Sequence, residues 1–501
     1  MTKPPDFFDY EQLLPSLEQA LRNMNPWWEG NPGPRLPEYK RWAFSIVLRK
    51  LEQGPAPATI VRGPRQVGKT TLQQQIIEHL INDKGVAPNR ILRIQFDEIE
   101  ELKKTKEPIL TITRWFESRV LRETFNSAAR TDRPAYLFLD EAQNIGDWAP
   151  ELKMLVDHNT VRALVTGSSA LRIEAGRDSL AGRISQVDLG TLLLREIAGL
   201  RYQDEWEPFL PHNGLEPLKR KEFWQELAGY HHKYRDECRR AFVAFSERGG
   251  YPMAQVNQQL GWHEVADQLN ETVIQRAIQH DLRMGRRGLK RDAQLLEEVF
   301  RIACRYAGQT PGQAIFVHDI HVALTANIGW SRILTYLKFL DGAMLLKMIP
   351  PLEMRLKRKK GNHKLCICDH GLRASWLQES VPIDEEGLKK SPHLADLAGH
   401  LVESVVGYFL TGLPHLDVAH FPERGADPEV DFILTIGEQR IPMEIKYQSR
   451  IDFDDTRGLR SFIEKSVYNA PFGILVTRNE AQKVDDPRIV CLPLTALLML
   501  R

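Results

Sequence analysis

The sequence predicts a multidomain α/β protein, and three features carry that prediction. Short apolar segments alternate with helical ones from Ala58 to about Leu200, residues 63–71 read GPRQVGKTT, and two apolar segments, Glu429–Leu434 and Ile441–Lys446, flank Gly437-Glu438 near the carboxyl end. At 501 residues the chain exceeds what a single core fills, so several domains are expected.

The alternating rhythm gives strands Ala58–Val61, Ile91–Phe96, Ala135–Leu139, Ala163–Thr166 and Ser185–Leu189. Strands that alternate with helices form a parallel sheet covered on both faces. A prefix precedes this core: a Pro/Gly-rich stretch, Asn25–Pro34, then a helical segment, Tyr39–Leu51.

Gly63, Pro64, Arg65, Gln66, Val67, Gly68, Lys69, Thr70 and Thr71 make up a complete G-x-x-x-x-G-K-T loop between a buried strand and a helix predicted over Thr71–Leu80. That pattern suits a phosphate chain, which needs closely approaching backbone N–H groups, a cation and a metal-ligating hydroxyl at one helix start. Lys69 would reach the β- and γ-phosphates and Thr70 would ligate Mg²⁺, with the helix dipole favouring the anion. Asp140 and Glu141 end the apolar run that begins at Ala135, where open α/β sheets place their ligands. Asp140 would hold Mg²⁺ through water, and Glu141 would polarise the attacking water. Ser168, in Gly167-Ser-Ser-Ala170, is placed to sense a γ-phosphate, although Gly-Ser-Ser is also ordinary turn chemistry. ATP and Mg²⁺ are the expected ligands and ATP hydrolysis the expected reaction.

Net charge is +1, so affinity for nucleic acid has to come from local clusters. Cys238, Cys304, Cys366, Cys368 and Cys491 are scattered; without a second close pair they read as buried free thiols, which fits a reducing cytoplasm. Acidic residues near the start and the lack of any run of eighteen apolar residues predict neither export nor membrane insertion.

Residues 1–55 form the prefix, 56–200 the nucleotide core, and 201–288 a charged helical segment with an internal turn, Arg248-Gly-Gly-Tyr-Pro252, that would serve as a lid. Residues 289–385 carry short helices, His318–Leu324 and Trp330–Leu340, and two strands, Ala343–Ile349 and Lys364–Cys368, which together describe a winged helix. Between those strands lies Arg355-Leu-Lys-Arg-Lys-Lys-Gly-Asn-His-Lys364. Arg355, Lys357, Arg358, Lys359 and Lys360 would track a DNA backbone; a solvated hairpin, or a winged helix used for protein packing, is the alternative. A second basic cluster, Arg283, Arg286, Arg287, Lys290 and Arg291, is a linker, a DNA contact or an intersubunit surface.

Residues 386–501 form the last domain. A tight turn at Gly437-Glu438 pairs Ile436 with Gln439, Phe432 with Met443 and Asp431 with Glu444. Val430, Phe432 and Leu434 then share an apolar face with Met443 and Ile445, while Asp431, Glu444 and Lys446 project from the other. Facing carboxylates call for a cation. A divalent metal would supply it, with Lys446 orienting a water or stabilising charge and Glu403, on a helix predicted over Leu397–Leu410, completing the ligand set. A further strand, Phe472–Val476, extends the sheet.

This D…E-x-K set resembles the PD-(D/E)xK nuclease superfamily, in which the acids bind Mg²⁺ or Mn²⁺ and the lysine aids phosphodiester hydrolysis. GPRQVGKTT, LDEAQ at 139–143, TGSSA at 166–170, LAGR at 180–183, RGGYP at 248–252, EVDF at 429–432 and MEIK at 443–446 together resemble a prokaryotic group of AAA-superfamily ATPases with a nuclease-like terminus. The chain is also similar to archaeal ATPases grouped with signal-transducing NTPases. The resemblance implies a P-loop AAA-type core, a helical lid, a winged helix and a restriction-endonuclease-like α/β domain, in that order. It further implies a phosphate-sensing arginine, Arg183 with Arg177 as competitor, acting in cis or on a neighbouring subunit, against the alternative of a structural salt bridge. Three functions compete: an ATP-regulated DNA-processing enzyme on duplex, single-stranded or branched DNA; an oligomeric translocase or branch-junction motor with an inactive nuclease fold; and a signalling or defence switch that binds a protein.

Overall fold

The structure is a computed structural model that describes residues 13–97, 102, 105–167, 180–210, 214–278, 292–353, 361–423, 425, 427–448, 450–479 and 484–501. The chain divides into two compact units; the first takes in residues up to Leu189 and the second most of the chain from Gly190 onward.

In the first unit, β1 (Ala58–Arg62), β2 (Ile91–Gln95), β3 (Ala135–Asp140), β4 (Val161–Gly167) and β5 (Ile184–Asp188) form one parallel sheet in the order β2-β3-β4-β1-β5. Each strand lies within two residues of its sequence expectation, because continuous apolar runs bounded by polar turns leave little freedom of assignment. Alternate residues point to opposite faces. Ile60, Leu92, Ile94, Leu137, Leu139 and Val165 pack with Leu17, Ile112, Trp115 and Leu152 on one face. The helices Ala43–Gln53 and Lys69–Asn82 pack against the central strands β1 and β4 apart from that cluster, so the sheet is covered on both sides.

The prefix has a defined task at the edge strand β2. An edge strand exposes unpaired backbone groups. Asn25, fully buried, accepts from the Arg93 N–H at 2.7 Å and donates to the Arg93 carbonyl at 2.9 Å, which imitates a neighbouring strand. The indoles of Trp27 and Trp28 donate to the Ile91 carbonyl at 3.3 and 2.8 Å. The Asn-Pro-Trp-Trp stretch is thus an edge cover rather than a loose leader.

The second unit contains the helices Lys221–Lys233 and Arg235–Arg248, so the segment expected as a lid is built into this unit. Farther on, helices Ala293–Arg305, Gln313–Leu324 and Trp330–Gly342 precede an antiparallel pair, β6 (Leu346–Ile349) and β7 (Lys364–Ile367). Residues 354–360, with the basic residues between those strands, and the cluster at 283–291 lie outside the described residues.

A mixed sheet follows in the order β12-β11-β10-β9-β8, with β8 Asp417–Phe421, β9 Val430–Ile436, β10 Gln439–Lys446, β11 Gly473–Thr477 and β12 Ile489–Pro493. Ile436 pairs with Gln439 and Phe432 with Met443, which is the register that the turn chemistry required. The face that carries Asp431 is covered by a second layer. Ile433, two residues on, is 0% exposed and packs with Leu459 and Phe462 of the helix Arg457–Glu464, while the helix Ala395–Thr411 covers Phe432 from the other side. All five cysteines are free thiols, four of them buried, and no described helix is long and apolar enough to cross a membrane.

The Arg-Gly-Gly-Tyr-Pro turn is explained by a contact with Asp369. Gly249 lies at φ 73° and ψ −166°, a region open essentially to glycine alone. A Cβ there would stand 2.2 Å from Asp369 Oδ1. Asp369 itself accepts from the N–H groups of Gly250 and Leu372, the latter at 2.9 Å. Gly249→Ala therefore combines backbone strain of roughly 1–3 kcal/mol with a steric conflict at a fully buried carboxylate. We expect a clear fall in thermal midpoint by circular dichroism; an unchanged midpoint would show that the glycine contributes nothing to folding.

Candidate functional site

At the carboxyl edge of the first sheet, the chain leaves β1 through Gly63, where an added Cβ would lie 2.0 Å from the Leu189 carbonyl oxygen. Only glycine passes that point. Gln66 at φ 63° and Gly68 at φ 91° complete the tight loop, and the guanidinium of Arg41 holds the Val67 carbonyl at 2.6 Å. The helix begins at Lys69, two residues before its expected start, so Lys69, Thr70 and Thr71 all belong to its first turn.

Lys69 is 4% exposed, and its ammonium donates to the carbonyls of Gly63 at 3.1 Å and Pro64 at 2.8 Å. Its Nζ is also 4.0 Å from Glu141 Oε1. Thr70 Oγ1 donates to Asp140, 3.0 Å from Oδ2. The hydroxyl and the carboxylate expected to share Mg²⁺ are therefore already adjacent, and the residues present fit a phosphate-bound divalent ion. Glu141 sits in the left-handed region at φ 52°, with the Gln143 amide donating to its Oε2.

Two residues of this site were missed from sequence. Arg93, on β2, is 5% exposed and donates to Asp140 Oδ2 at 3.0 Å and to Gln73 Oε1 at 3.1 Å. Thr166, on β4, donates to Asp140 Oδ1 and accepts from the Glu141 N–H at 3.3 Å. Burial pushes the Asp140 carboxyl above the usual range, and Arg93, Thr166 and Thr70 oppose that shift. The signal was available in β2: an arginine inside an otherwise apolar buried strand has to meet an anion.

Ser168 and Arg177 lie outside the described residues. Arg183 is corrected as a phosphate sensor in cis. It precedes β5 and its carbonyl pairs with the N–H of Ala58, which puts it at the amino edge of the sheet, one strand length of roughly 16 Å from the loop. There its guanidinium binds Asp157, with Nη2 3.0 Å from Oδ2.

In the second unit, Glu403, Asp431, Glu444 and Lys446 line one cavity of about 590 Å³. They are joined by Lys364, from the start of β7. Its Nζ is 2.6 Å from Glu403 Oε2 and 2.6 Å from Asp431 Oδ1. Beyond the Phe432–Met443 pair the ladder gives way to side-chain bonds, with Asp431 Oδ2 accepting from the Ile445 N–H at 2.9 Å. Lys446 Nζ is 3.0 Å from Glu444 Oε1.

Burial opposes the charge on Lys364, yet Asp431 and Glu403 outweigh it and hold the ammonium protonated. Burial also raises Asp431, but Lys364 overcomes it and keeps that carboxylate ionised. Glu444, buried and next to Asp431, is pushed up to about 8. The three acids do not fit a divalent metal as they stand: among the described residues no group of three or more His, Cys, Asp or Glu side chains is arranged to hold one. The cation between Glu403 and Asp431 is an ammonium instead.

A family model described as an AAA domain matches residues 55–198, and a domain of unknown function, DUF4143, matches residues 398–497. An uncharacterised protein of Methanocaldococcus jannaschii is 24% identical over 383 residues, covering 74% of this chain and 72% of the relative. An uncharacterised protein of Mycobacterium tuberculosis is 23% identical over 416 residues, covering 82% and 74%. Among solved structures, a Walker-type ATPase of Pyrococcus abyssi aligns with a TM-score of 0.38 at 16% identity, over 70% of this chain and 99% of that one. The chain carries an AAA-type P-loop ATPase domain at residues 55–198, followed by a separate carboxyl-terminal α/β domain.

Proposed function

We propose that this chain hydrolyses Mg²⁺-bound ATP at residues 63–71 and uses the cycle to move or remodel DNA. The observation that carries the first half is the meeting of Lys69, Thr70, Asp140 and Glu141 at one sheet edge. Lys69 would exchange the Gly63 and Pro64 carbonyls for phosphate oxygens. Thr70 and Asp140 would hold Mg²⁺, which would supply charge neutralisation at the phosphates. Arg93 and Thr166 keep Asp140 in position. Glu141 accepts a proton from the attacking water, and Gln143 steadies its carboxylate. Ser168 senses the γ-phosphate, and Arg183 acts only from a neighbouring copy.

The second half of the proposal rests on domain order: prefix 1–55, core 56–200, helical segment 201–288, winged helix 289–385 and terminal domain 386–501. Three helices and an antiparallel strand pair support a winged helix, and Arg355, Lys357, Arg358, Lys359 and Lys360 supply the DNA-facing charge. The position of Lys364 favours a motor on intact DNA over a metal-dependent nuclease. Asp431, Glu444 and Lys446 then form part of a platform rather than a hydrolytic centre.

Lys69→Ala should reduce ATP turnover by about two orders of magnitude or more. Glu141→Gln should retain ATP but not hydrolyse it, read by filter binding against phosphate release; equal loss of both would show that Glu141 holds the nucleotide rather than activating water. Charge reversal across Arg355–Lys360 should abolish DNA stimulation of turnover and lower the salt slope of DNA affinity by about 0.9 for each phosphate that is no longer neutralised. DNA affinity with an unaltered slope would place the DNA-binding surface elsewhere.

A further inference from the structure

In the acidic cavity of the second unit each carboxylate oxygen of Glu403, Asp431 and Glu444 lies within 3.5 Å of a nitrogen. Glu403 Oε2 and Asp431 Oδ1 each lie 2.6 Å from Lys364 Nζ, and Asp431 Oδ2 accepts from the Ile445 N–H at 2.9 Å. Glu403 Oε1 is 3.5 Å from His400 Nδ1. Glu444 Oε1 is 3.0 Å from Lys446 Nζ, and its Oε2 accepts from the Asp431 N–H at 3.4 Å.

Lys364 is held where it is by more than its ion pairs. It begins β7, and its side chain is 2% exposed, with Nζ 5.0 Å from the centre of the Phe432 ring. An ammonium taken this far from water needs compensation on several sides, and two carboxylates with an aromatic face provide it. A divalent ion bridging Glu403 and Asp431 would sit roughly 2.0–2.6 Å from their oxygens. That is the volume the ammonium fills.

We infer that Lys364 is the resident cation of this cluster, and that ammonium and divalent ion are mutually exclusive occupants of the position between Glu403 and Asp431. The position is set by β7, so the strand pair β6–β7 determines whether the terminal domain can take up a metal. Charge supports the exclusion. A divalent ion beside Lys364 would place two cations in contact, three positive charges against the two negative charges of Glu403 and Asp431. This inference depends on the second unit alone, so loss of the ATPase reading would leave it intact.

The test counts Mn²⁺ bound to the nucleotide-free full chain by electron paramagnetic resonance, which reads occupancy rather than activity. Wild type and Asp431→Asn should bind the same number of ions, because Asp431 contributes no metal site while Lys364 is present. Lys364→Met should bind one further Mn²⁺ per chain, and Lys364→Met/Asp431→Asn should lose it again. Lys364→Gln, checked for folding by thermal melting, serves if the methionine variant does not fold. A wild-type Mn²⁺ that Asp431→Asn removes would overturn the inference, as would a folded Lys364 variant that gains none. If neither Lys364 variant folds, the comparison of wild type with Asp431→Asn still decides.

Discussion

A buried carboxylate costs several kcal/mol unless cations or donors meet it, and both sites in this chain are organised around that cost. Asp140 ends β3 with no exposure, and Arg93 on the neighbouring strand, together with Thr70 and Thr166, compensates it. Asp431 is the second residue of β9 and buried, and Lys364 from a strand outside its own sheet compensates it. In each case the partner is fixed to a strand, so the position of the charge is as rigid as the backbone. The difference lies in the partners. Both oxygens of each aspartate accept hydrogen bonds, but those of Asp140 include the Thr70 hydroxyl, which suits Mg²⁺, whereas those of Asp431 come from an ammonium and a backbone N–H.

The strands of the first sheet were legible because they are continuous apolar runs, and the loop at 63–71 because its glycines and lysine can serve few other purposes. The β9–β10 register was legible because a two-residue turn fixes it. The compensating cations were not. Lys364 follows a run of lysines and arginines in the sequence and reads as one more exposed charge; only the fold shows that it turns inward while its neighbours precede the strand. Arg93 was hidden differently, inside a segment counted only as apolar.

Long-range placement accounts for the remaining differences. Arg183 follows a glycine in a plausible motif, but motif spacing does not say at which edge of a parallel sheet a residue emerges. The edge strands β8 and β12 were not foreseen, since strands of five residues carry little periodic signal. Alternation in the strands assigns Asp431 and Glu444 to one face, but it cannot reveal a second covering layer. Here the helix Arg457–Glu464 supplies that layer.

The bond from Asp369 to the Gly250 N–H spans 119 residues of chain and joins two tight turns. With Gly249 confined to a conformation other residues avoid, the joint behaves as a strut rather than a hinge. The contact links the end of the helix Arg235–Arg248 to the start of the helix that follows β7, His370–Leu377. A side chain introduced at 249 would displace the aspartate, and the backbone conformation of 249 calls for glycine even without that contact.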